Sequence, residues 1–126
     1  MAKEKRIKTK EERIRGEKNR LTRLFKELPE KKKKLTAGLI ERAAFMRVEL
    51  EDLEADLNEN GWTESFQQSK NLEPYDRARP QGQTYNTMNT SYQKIMKQLH
   101  DMLPQETAQK QQDDGFEEFV IGRDGE

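Results

Sequence analysis

Four consecutive lysines, Lys31 to Lys34, stand directly before a regular apolar pattern. Each lysine carries three donors and a positive charge, which is phosphate-binding chemistry. Their place at the start of a predicted helix sharpens the point. Cations there cost about 0.3–1 kcal/mol each, because that end of the helix dipole is positive. A nearby anion reverses the sign, since helix N-termini also carry free amide donors. Upstream, Arg13, Arg15, Lys18, Arg20, Arg23 and Lys26 extend the basic block. Such a block grips a nucleic-acid backbone with steep salt dependence and little base selectivity. Phe25 is the one aromatic within it, too few for base stacking, which favours duplex DNA over single strands. The plainer alternative is a solvated charged face, and a localisation signal is a third.

Other chemistry finds few residues to carry it. His100 is the only histidine, next to Asp101, and there is no cysteine. No metal site is therefore expected, nor a disulfide. The serines show no grouping with histidine and aspartate. "TAGLIERA", residues 36–43, lacks the glycine spacing and lysine of a phosphate loop. Glu49, Glu51, Asp52, Glu54 and Asp56 read as a solvated helix face, with Arg42 and Arg47 nearby. The expectation is a protein that is not an enzyme and holds no cofactor.

These residues must be positioned by helices. A first helix is predicted from Thr9, where Thr9 and Glu12 have capping-box spacing. Ile7, Ile14, Leu21 and Leu28 recur every seventh residue, joined by Leu24 and Phe25. Gly16 weakens this helix by about 1 kcal/mol, so its first turns are expected to order on binding. Pro29 ends it and suits the first turn of the next. The second helix carries Leu35, Leu39, Ala43, Met46, Leu50, Leu53 and Leu57 on a heptad-like seam. Ile40, Ala44 and Val48 widen it, so it must touch more than one neighbour. "NENG", residues 58–61, ends it, with Gly61 as a left-handed cap. Residues 62–83 show no sustained period and contain Pro74, Pro80 and Gly82, which predicts a long loop anchored by Trp62, Phe66 and Tyr75. A third helix begins near Thr84 and carries Tyr85, Met88, Tyr92, Ile95, Leu99 and Met102 until Pro104.

The fold class expected is all-α: a long helical hairpin, a basic N-terminal helix, and an acidic tail without a fixed fold. Three segments follow: 1–30 for DNA contact, 31–104 for oligomerisation with a loop at 61–83, and 105–126 for partner docking. Composition agrees. Of 126 residues, 38% are charged and 31% hydrophobic, with mean hydropathy −1.24, so the core is small. A core of this size supports only about 3–5 kcal/mol alone, and self-association is the natural supplement. The net charge is zero but unevenly spread. Residues 1–34 sum to +9, residues 35–100 to −3 and residues 101–126 to −6. No long apolar run or signal-like segment appears, so the chain is expected to be soluble, not secreted, and without membrane contact.

"LIERAAFMRVELEDLEADLNENG", a polar loop, and then "YNTMNTSYQKIMKQLHDMLP" resemble the small terminase subunit of tailed double-stranded-DNA bacteriophages and prophages. "DGFEEFV" resembles that family's C-terminal end. The central "SFQQSKNLEPYDRARP" departs from the family pattern. The resemblance implies a non-enzymatic recognition subunit in the bacterial host cytoplasm. It would bind the packaging start site on viral DNA and recruit the large ATPase-nuclease subunit. It would also form a ring of about eight to ten subunits. On that basis the ring is expected through Leu39, Met46, Leu50, Leu53, Tyr92, Ile95 and Leu99. Phe116, Phe119 and Val120 are expected to dock the large subunit, as a short helix in a groove. The competing expectation is a coiled-coil scaffold or adaptor that never meets nucleic acid. A helix-turn-helix repressor is weaker, since four lysines offer no base-reading side chains.

Overall fold

The computed structural model describes residues 7–104. Within them lie α1 (Lys10–Leu24), α2 (Glu30–Asn60), β1 (Thr63–Phe66), β2 (Tyr75–Ala78) and α3 (Pro80–Asp101). The fold is mostly helical, as expected, with one small two-stranded sheet. The region predicted as a loop folds back as an antiparallel β-hairpin, Thr63 opposite Ala78 and Phe66 opposite Tyr75. The acidic tail, with Phe116, Phe119 and Val120, lies outside the described residues.

The start of α1 follows the sequence reading closely. Glu12 N–H donates to the Thr9 hydroxyl at 3.1 Å, and Thr9 N–H donates to the Glu12 carboxylate at 3.2 Å. The helix runs unbroken through Gly16. It ends at Leu24 rather than at the proline, because residues 25–28 close a tight turn and Pro29 becomes the cap of α2. Leu21, Phe25 and Leu28 are buried there, whereas Ile7 is 90% exposed and does not join their stripe.

α2 is the spine of the molecule, packed by α1 on one side and α3 on another. Its buried residues are Thr36, Ile40, Ala43, Ala44, Val48, Leu50 and Leu57. The face that merely widens the heptad seam in sequence therefore points inward, since α1 and α3 together cover a wide arc of the helix. The predicted seam faces outward in part, and Leu35 is 78% exposed. Gly61 closes α2 with φ 83° and ψ 178°, a conformation open to glycine. Its φ is positive, as the left-handed cap expected from sequence requires, while its ψ lies outside the helical range.

α3 begins one turn earlier than Thr84, at Pro80, whose fixed φ suits a first helical turn. It returns antiparallel to α2. Tyr85 donates to Glu54 at 2.8 Å near one end, and Lys32 donates to the Met102 carbonyl at 3.4 Å near the other. Tyr92, Met96, Leu99 and Leu103 close the core against Leu21, Phe25, Ala43 and Leu50. The first helix thus belongs to the same core as the hairpin, and residue 30 is not a packing boundary.

Candidate nucleic-acid interface

The ten cations singled out in the sequence divide into two groups. One group is spent inside the fold. Arg13 reaches across to α2 and donates to Asp52 at 2.7 Å and Glu51 at 3.1 Å. Arg47 donates to the other oxygen of Glu51 at 3.4 Å, so Glu51 links both helices. Lys10 pairs with Glu49 in the same zipper. Hydrogen bonding, to Asp52 first and then Glu51, raises the Arg13 pKa. The acidic face of α2 is therefore not merely solvated. It neutralises α1, which lets a strongly basic helix pack on its neighbour. Lys18 pairs with Glu41 at 3.0 Å, Arg20 with Glu17 at 2.7 Å, and Lys33 with Glu30 at 3.1 Å. Lys32 is held by the Met102 carbonyl at the end of α3.

The other group comprises Arg15, Arg23, Lys26, Lys31 and Lys34. All five are exposed, and none forms a salt bridge with another described residue. Arg23 is in the last turn of α1, Lys26 is in the turn that follows it, and Lys31 and Lys34 are at the start of α2. All four lie in or beside the turn at 25–29, so the fold gathers them at one elbow. The elbow itself is anchored to the core, because Phe25 and Leu28 are buried beneath it. Lys31 and Lys34 also sit where the amide donors of α2 begin. Placed there, the four offer donors and charge to phosphates and nothing that reads a base edge.

The residues expected at a subunit interface divide as well. Leu50, Tyr92 and Leu99 are 0%, 3% and 0% exposed within the single chain. Their side chains fill the intramolecular core, so they are corrected from interface to core. Leu39, Met46, Leu53 and Ile95 are only partly covered. With exposed Leu35, the α2 members step by four and by seven and share one edge of the helix. Met88, Ile95 and Met102 step by seven along α3 and are likewise half-buried. Two incomplete apolar rows thus run along the helical hairpin.

Two features escaped the sequence reading. Arg79 bonds Asp56 at 2.9 Å and the Gly61 carbonyl at 2.6 Å, pinning the base of the β-hairpin to the end of α2. Its signal was hidden, because an arginine in an apparent loop gives no hint of its partner. A cleft between α1 and α2 is the second, since cavities leave no pattern in sequence. The aromatic anchors were legible. Trp62 meets Tyr85 edge-on with centroids 6.1 Å apart, and Phe66 meets Tyr75 at 5.8 Å. His100 is half-buried, and the described residues include no cluster of three or more metal-ligating side chains. No described helix is long and apolar enough to cross a membrane.

In comparisons with protein-family models, curated proteins and solved structures, none matches this chain.

Proposed function

We propose that the chain is the non-catalytic DNA-recognition subunit of a viral DNA-packaging terminase. Several copies assemble through the incomplete apolar rows, and each presents its basic elbow to duplex DNA. The observation that carries the reading is that elbow: Arg23, Lys26, Lys31 and Lys34 exposed around one turn without a carboxylate partner among the described residues. Fixed cations left unneutralised, in a fold that neutralises so many others, fit a polyanion. The resemblance of residues 39–61 and 85–104 to small terminase subunits supplies the packaging context. Within it, Phe116, Phe119 and Val120 dock the large subunit, and the assembled ring recognises viral DNA.

The test is duplex-DNA affinity across a salt series. Lys31→Gln with Lys34→Gln should lower affinity uniformly across sequences. The slope of log K against log salt should flatten by about 0.9 for each phosphate no longer neutralised. An unchanged slope removes the elbow from the DNA interface and moves the coiled-coil adaptor to first place.

A further inference from the structure

An open cleft of about 250 Å³ lies between the end of α1 and the first half of α2. That is far more than the roughly 30 Å³ a water molecule occupies in the liquid. Phe25, Leu28 and Ile40 line its apolar floor, and Lys18, Lys26 and Lys33 line its rim. Glu41 also reaches the rim, where Lys18 neutralises it at 3.0 Å. Lys33 meets only the highly exposed Glu30, and Lys26 has no salt-bridge partner among the described residues. Such a cleft selects an occupant with apolar anchors and negative charge around them.

The chain itself contains that occupant. Residues 113–120 read "DDGFEEFV", two phenylalanines set among four carboxylates. We propose that this segment docks in the cleft of its own chain, with Phe116 and Phe119 on the floor. Asp113, Asp114, Glu117 and Glu118 then face the lysine rim. Apolar burial and charge complementarity both favour the pairing.

The position of the end of α3 argues for the same molecule rather than a second one. Lys32 contacts the carbonyl of Met102, so α3 ends beside the start of α2. Lys33, the next residue, is already on the cleft rim. The cleft extends along α2 to Glu41, about 12 Å further at the helical rise. The twelve residue-to-residue steps from Pro104 to Phe116 span up to about 40 Å when extended. The tether reaches with chain to spare, and short tethers raise effective concentration to about millimolar. The segment would then be stored against its own fold until something displaces it.

The full chain has no cysteine, so an engineered pair reports unambiguously. Ala37→Cys lies in the cleft lining and is exposed, and Gly115→Cys adjoins Phe116. Under mild oxidation this pair should form an intrachain disulfide, read by peptide mass spectrometry. It should form at least fivefold faster than a control pairing Gly115→Cys with Thr87→Cys at an exposed position of α3. Adding Lys26→Glu should slow the first pair and leave the control unchanged. Equal rates for the two pairs would overturn the docking, as would bridges found only between chains. A second readout needs no cysteine. Phe116→Ser with Phe119→Ser, in the full chain, should shift the backbone amide resonances of Lys26, Ala37 and Glu41. Unmoved resonances there would overturn the proposal equally.

Discussion

Arg13 and Lys31 belong to one basic block in the sequence, yet they meet different surroundings. Arg13 holds two carboxylates of α2, while Lys31 faces solvent at the elbow. Substitution should separate them. Arg13→Gln leaves Asp52 and Glu51 without their α1 partner and should cost about 1 kcal/mol, given the partial exposure of all three. Denaturant midpoints measure that loss, and the DNA salt slope should stay unchanged. Lys31→Gln should do the reverse, flattening the slope at constant stability. Residue types and spacing made the basic block legible. Pairing was not legible, because Arg13 and Asp52 lie far apart in sequence and only the α1–α2 packing brings them together.

At the scale of elements, periodicity carried the helices and missed the sheet. The capping box at Thr9 and the three apolar stripes are local signals, and all three helices follow them. β1 and β2 are four residues each, and both are largely exposed. β2 is exposed throughout and the half-buried face of β1 carries Glu64 beside Phe66, so neither leaves an apolar period of two. What holds them is non-local: the cross-strand Phe66–Tyr75 pair, Arg77 3.6 Å above the Phe66 ring, and Arg79 on Asp56. The Asp56 carboxyl is held below its ordinary 3.8, first by the Asn60 amide and then by Arg79. A carboxylate with a lowered folded pKa stabilises above 3.8 and loses that contribution as pH falls below it. The hairpin base should therefore hold at neutral pH and loosen below about pH 4. Trp62, the only tryptophan, lies beside this anchor and reports the change by fluorescence. Asp56→Asn should remove that acid transition. Gly82 is a second lever, because an added Cβ would stand 2.9 Å from the Trp62 ring. Gly82→Ala should displace the indole and red-shift its emission at neutral pH. The elbow is tighter still. Phe25→Ala empties a site that is 2% exposed and should cost about 3–5 kcal/mol, read by chemical denaturation.

For the whole molecule, the distribution of charge and apolar surface matters more than any one interaction. The sequence showed a basic start and an acidic end, and the fold converts the first into an elbow beside a cleft. It also showed more apolar helix than one chain can cover. Leu35, Leu39, Met46 and Leu53 on α2, with Met88, Ile95 and Met102 on α3, remain partly open to solvent. Which apolar residues stay open could not be read from heptads, since α1 claims part of α2 and leaves the nominal seam at the edge. Assembly is the reading that uses these rows, and DNA is the reading that uses the elbow. Both meet in one measurement: light scattering after size-exclusion chromatography of the full chain mixed with short duplex DNA at physiological salt. The account predicts one complex containing several chains and a duplex, stable across a concentration series. Monomeric or dimeric protein eluting apart from the DNA at every concentration would contradict it.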